Sequence, residues 1–207
     1  MIYFIGDMHL FNKNQTNEGV HNYDGRPFDT VEKMNSYFLE HWNAKINNGD
    51  TVVIAGDLSM RGRNDALIAL VSQLRGKKIL VLGNHDDVSD YRYTKLFDEI
   101  VPYKEMTISF GGKAYKIVVS HYPILCWNGQ HRGTILLYAH THDSIEHAFF
   151  QECIAKMNAS EELSLRRQGG QKIVAINVGS MMPYTGFEPR TLQELLAAQG
   201  NDHEIPI

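Results

Sequence analysis

The chain has 207 residues, of which 43% are hydrophobic and 21% charged, enough for one domain with a substantial core. A formal net charge of -4 provides no broad basic face. That argues against a nucleic-acid polymer or an anionic membrane surface as partner, but leaves a small phosphate-bearing substrate open.

Two cysteines, Cys126 and Cys153, and no C-x-x-C pair exclude a disulfide framework and point to reduced thiols. The start MIYFIGDMHL has neither the basic region nor the apolar run of a signal peptide, and no segment reaches the ~20 apolar residues of a membrane span. A cytoplasmic protein with a single domain over residues 1–207 is expected.

In chain order, apolar runs at residues 2–5, 51–55, 78–82, 115–120, 134–138 and 172–176 have strand length and many β-branched residues. Their hydrophobicity is continuous, as in strands covered on both faces. Between the first two, residues 30–47 place Val31, Met34, Phe38, Trp42 and Ile46 on one helical stripe. Asp29 or Thr30 can cap this helix, and Asn47-Asn48-Gly49 stops it. Residues 64–75 predict a second helix, 145–165 a third and 192–199 a short last one. Gly111-Gly112, between runs 105–110 and 115–120, predicts a hairpin. The order is that of an α/β layered fold. Long connections at 10–29 and 140–170 are of the kind that carry function or cover a site.

The strand ends are more specific. Run 2–5 leads into Gly6-Asp7-Met8-His9, run 51–55 into Gly56-Asp57, and run 78–82 into Gly83-Asn84-His85-Asp86. His121 stands beyond the hairpin, and run 134–138 leads into Ala139-His140-Thr141-His142. Five of the ten histidines fall at these ends, where α/β sheets bind ligands. These ends deliver Asp7, Asp57, Asn84, His9, His85, His121, His140 and His142, a carboxylate, amide and imidazole set without a thiolate. Such a set suits Mn, Fe, Zn or Ni, with manganese the ion to try first in vitro. It suffices for two divalent ions ~3.5–4 Å apart if one carboxylate bridges. The i, i+2 spacing of Asp7 with His9, and of His140 with His142, puts both side chains on one side if the chain continues extended.

These blocks resemble the signature of the calcineurin-like metallophosphoesterases: D-x-H, G-D, G-N-H-[DE], a lone H, then G-H-x-H. Ala139 replaces the usual glycine. The segments GRPF, HYPILCWNG and INVG look like a subgroup of small phosphoesterases from bacteria and their viruses. The resemblance implies a four-layer α/β/β/α sandwich with two mixed sheets. It implies one ion on Asp7, His9 and His142, a second on Asn84, His121 and His140, and Asp57 bridging.

It further implies a phosphatase or phosphodiesterase. Hydroxide formed between the ions would attack phosphorus, with His85 as proton donor to the leaving group. Asp86 is a candidate to hold the His85 ring. In the protein-phosphatase branch the partner is the Asp of G-D-x-x-D-R-G, a position taken here by Met60. Arg61 matches that pattern's arginine and is a candidate for phosphate oxygens. Residues 127–132 either overhang the site or form a solvent-facing turn. The competing reading is a non-catalytic metal-binding interaction module of the same fold, which typically has lost a ligand or the Asn-His pair. Substrate and oligomeric state have no sequence signal.

Overall fold

In the computed structural model, residues 1–60 and 65–200 are described. The elements are β1 (Ile2–Ile5), α1 (Val31–Lys45), β2 (Thr51–Ile54), α2 (Asp65–Gln73), β3 (Lys77–Val81), α3 (Tyr91–Thr94), β4 (Glu99–Val101), β5 (Lys104–Phe110) and β6 (Lys113–Val119). They continue with β7 (Ile135–Tyr138), α4 (Ile145–Ala159), α5 (Glu161–Arg166), β8 (Ala175–Asn177), β9 (Arg190–Thr191) and α6 (Leu192–Ala198).

Two mixed sheets result. A five-stranded sheet runs β4-β3-β2-β1-β9, parallel except for β9. A four-stranded sheet runs β5-β6-β7-β8, with only β5 antiparallel to its neighbour. The β5–β6 hairpin turns through Gly111 and Gly112, both at positive φ (57° and 75°), as a two-residue turn of right-handed strands requires.

The layers arise from period-two alternation along each strand. Tyr3 and Ile5 of β1, with Val52, Ile54 and Leu80, pack outward against α1 and α2. All five residues of the predicted α1 stripe, Val31 to Ile46, are buried there. Phe4, Val53 and Val81 point the other way and meet Ile117, Val119, Leu137 and Ile176 of the second sheet. On the far side Val118, Leu136 and Tyr138 receive Phe150 and Ile154 of α4. The order is α/β/β/α, with both faces of the central strands covered. Each fully buried aliphatic or aromatic side chain contributes roughly 1.5–3 kcal/mol.

Several parts of the chain add to or differ from the sequence reading. The helix expected over 145–165 breaks at Ser160, whose hydroxyl caps the next turn at Leu163 N (3.3 Å) and so competes with continuation. Strands β4 and β9 are three and two residues long, too short for a periodic signal. Residues 127–132 pack away from the strand ends. Trp127 is buried among Val118, Leu136 and Phe150, and its indole donates to Thr134 O at 2.8 Å.

At the carboxyl ends of β1, β2, β3, β6 and β7 the two sheets meet. Gly6 N donates across to Val178 O (2.8 Å). A Cβ on Gly6 would lie 2.8 Å from that of Ala139. Ala139 therefore leaves no room for a side chain at position 6. Among the described residues, no helix is long and apolar enough to cross a membrane.

Candidate metal centre

The loops beyond these strands are not extended. Asp7, His9, Asp57, His140 and His142 have φ of 49°, 48°, 52°, 70° and 50°. Non-glycine residues seldom adopt this left-handed region, which costs about 1–3 kcal/mol each. Only Phe11 and Phe187 share it elsewhere among the described non-glycine residues. The i, i+2 pairs thus converge through consecutive tight bends rather than through extended chain. The preceding glycines allow the crowding: a Cβ on Gly83 would sit 2.2 Å from Asp57 Oδ1, and one on Gly56 2.5 Å from His121 Nδ1.

Two donor groups form. Asp7, His9 and His142 make the first, and Asp57, His121 and His140 the second, each with ligand atoms within 4.8 Å of one another. In the first, His9 Nε2 faces His142 Nε2 at 3.1 Å. In the second, His121 Nε2 lies 3.1 Å from His140 Nδ1 and 3.0 Å from Asn84 Oδ1. Asp57 Oδ2 stands between them, 3.9 Å from His9 Nε2 and 3.5 Å from His121 Nε2. The site residues come from both sheets.

Whether these donors suit divalent cations is answered by the polar atoms they leave unsatisfied. Asp7 is fully buried; its Oδ2 accepts from His140 N (2.9 Å), but its Oδ1 has no hydrogen-bond partner. A buried acceptor of this kind costs about 1–3 kcal/mol, more when charged. Burial pushes Asp7 up to about 7 against the pull of His142. Burial also lowers His9, His121 and His140, which keeps them neutral and able to ligate. Nitrogen and oxygen donors without thiolate, closing on an unpaired carboxylate oxygen, fit divalent ions of borderline hardness.

The family model for calcineurin-like phosphoesterases matches residues 1–196. The chain belongs to that family. An uncharacterised protein of Methanocaldococcus jannaschii is 28% identical over 165 residues, covering 78% of this chain and 82% of that one. The Gene 66 protein of Mycobacterium phage L5 is 26% identical over 138 residues, 55% of this chain and 67% of that one. In fold, the chain resembles a crystal structure of a protein of unknown function from Aquifex aeolicus. The TM-score is 0.63 at 20% identity, over 96% of this chain and 98% of that one.

Against the family pattern, His85 lies beside both donor groups without joining either. Its backbone N–H donates to Asp57 Oδ1 (2.9 Å), and its ring meets that of His9 edge-on, centroids 5.7 Å apart. Neither ring nitrogen forms a hydrogen bond among the described residues, and the side chain is half-buried. Asp86 does not hold that ring. Its Oδ2 accepts from the Asp57 and Gly83 N–H groups (both 2.9 Å) and its Oδ1 from Leu58 N (3.1 Å). The carboxylate is adjacent in sequence, but its geometry serves to pin the two loops that carry Asp57 and Asn84. Burial raises it to about 6 despite these bonds. Arg61 lies outside the described residues.

Sequence reasoning missed three residues behind the donors. Asp24 Oδ1 is 2.5 Å from His142 Nδ1. Arg26, 1% exposed, pairs with Asp24 and donates to the carbonyls of Asp7 and Met8 (both 2.8 Å). Asn177, fully buried at the end of β8, donates to His142 O (3.0 Å) and accepts from Gly179 N (2.8 Å). Arg26 and Asn177 fall in the GRPF and INVG segments, but no spacing rule marks either as buried behind a site.

Proposed function

We propose that this protein is a binuclear metal-dependent phosphoesterase acting on a small phosphomonoester or phosphodiester. Asp7, His9 and His142 would hold one divalent ion, Asn84, His121 and His140 the other, and Asp57 both. The observation that carries the reading is Asp57 Oδ2 between two imidazole pairs, beside a buried Asp7 oxygen that has no partner. When bound, the ions supply an activated water near neutral pH and offset charge on phosphate oxygens.

The chain's own part is positioning and proton delivery. Asp57 Oδ1 fixes the backbone of His85, so the residue offered as acid is located by the same carboxylate that spans the two donor groups. The His85 ring has both nitrogens free of hydrogen bonds to the described residues, and is open enough to protonate a departing alkoxide or phenoxide. Manganese is the first ion to test, and iron, zinc and nickel suit the same donors. A non-catalytic module would be expected to lack a donor, yet every position is filled. The acidic balance favours a small ester over a polymer.

Hydrolysis of a bis(nitrophenyl) phosphate with added Mn²⁺ tests the reading. His85→Ala is expected to lose about 10²–10⁴-fold in kcat while both ions stay bound. Equal turnover by wild type, His85→Ala and Asp57→Asn across several metals and esters would refute it.

A further inference from the structure

The two donor groups are supported in different ways. In the second, His121 Nδ1 lies 2.8 Å from Ala55 O, a buried carbonyl just beyond the core strand β2. In the first, Asn177 of β8 and Ser180 hold the backbone of His142 and Asp7, and further support comes from the connection between β1 and α1, whose only regular piece is the short turn Lys13–Gln15. Asp24 meets His142 Nδ1, which leaves Nε2 to face His9. A hydrogen bond at one imidazole nitrogen sets the tautomer and ring angle at the other.

Arg26 completes the connection. Its guanidinium donates to the Asp7 and Met8 carbonyls and, through Nε and a terminal nitrogen, to Asp24 Oδ2 (3.0 and 2.8 Å). Asp7 comes after β1 in one sheet, and His142 after β7 in the other. One Asp24–Arg26 unit therefore fixes two of the three donors of the first group. The unit is presented by Asn22, whose side chain brackets Arg26 by bonds to its N–H and its carbonyl (both 2.9 Å). The pair is neutral as a whole, so it orients the donors without adding net charge. Around it the chain is mostly exposed: Asn17, Glu18, Val20, His21, Tyr23, Gly25 and Pro27 all face solvent.

We infer that residues 12–28 form a metal-ordered strap, with Asp24 and Arg26 as positioning residues for the ion of the first group. The inference rests on the binuclear reading above. Linkage makes the relation reciprocal: if seating the strap tightens that ion, binding the ion holds the strap down to the same extent. The second group, resting on core backbone, stands outside this coupling.

Hydrogen exchange on the full chain, stripped of metal and then given Mn²⁺, tests the inference directly. Amides of residues 14–28 are expected to slow about tenfold or more, as local opening is suppressed, while those of the β5–β6 hairpin stay unchanged. Two bound Mn²⁺ ions by native mass spectrometry with unaltered exchange in 14–28 would overturn it and leave the phosphoesterase reading intact. No bound Mn²⁺ would overturn both.

The double variant Asp24→Asn, Arg26→Gln removes the charges together, so no buried ion is left unpaired. It is expected to weaken the first ion about 10–100-fold and retain the second, lowering the stoichiometry from two to one at limiting Mn²⁺. A folded double variant that binds both ions as tightly as wild type would also overturn the inference. Should the variant fail to fold, the wild-type exchange experiment decides alone.

Discussion

The interior between the sheets and the rim above it are built from the same strands and obey opposite rules. Phe4, Val53 and Leu137 are buried, apolar and part of regular strands. A few residues on, Asp7, Asp57 and His140 have left-handed backbone, and Asp7 and Asp57 are carboxylates shut away from water. Stability is therefore generated below the rim and partly lost at it. That is the arrangement expected where an ion, not the protein alone, completes the electrostatics.

Asp7→Asn should separate the two regions most sharply. Turnover with Mn²⁺ is expected to fall by about a thousandfold, since several kcal/mol of charge stabilisation depend on the ion. The metal-free variant should nonetheless melt no lower than wild type at pH 8. A variant that lost stability and kept turnover would reverse the comparison. Leu137→Ala is its counterpart in the interior. A loss of about 2–5 kcal/mol in denaturant unfolding is expected, with two Mn²⁺ ions still bound per folded chain.

The pH dependence of the metal-free protein sharpens the same contrast. Asp7 rises from its ordinary value of 3.8 to about 7 because burial disfavours its charge. A raised group contributes stability that is fully present below 3.8 and lost as pH climbs through 7, an effect of at most about 4 kcal/mol. Asp86, His9, His121 and His140 are common to both proteins, so between pH 5 and pH 7.5 in chelator the thermal midpoint of wild type should move downward relative to that of Asp7→Asn. The smallest effect is expected at Tyr122, 45% exposed, with its ring edge-on to His140 at 4.5 Å. Tyr122→Ala should raise KM for aromatic esters about 2–10-fold without changing metal content.

How far the site was legible depends on how local each signal is. A polar residue placed directly after an apolar run can be read from neighbours in sequence, and the seven candidate side chains lie together at the rim. Asp86 misled because adjacency to His85 suggested a bond, whereas its oxygens turn to the N–H groups of residues 57, 58 and 83. The partner of His142 lies 118 residues away in an irregular loop that has no periodicity to mark it. Nor does periodicity reach strands as short as β4 and β9.

Alternation, glycine stops and polar strand ends are properties of a few consecutive residues, and from them the sequence by itself determined the α/β class, the central strands, α1 and which side chains are candidate donors. The family resemblance implied two donor groups with Asp57 between them, and tertiary structure supplied the distances that fit that division. Tertiary structure alone decided that the connecting bends are left-handed, and that a buried Asp24–Arg26 pair braces one group while core backbone braces the other. The physical reason is reach: hydrogen bonds and ion pairs are set by distances in space, which chain order does not encode.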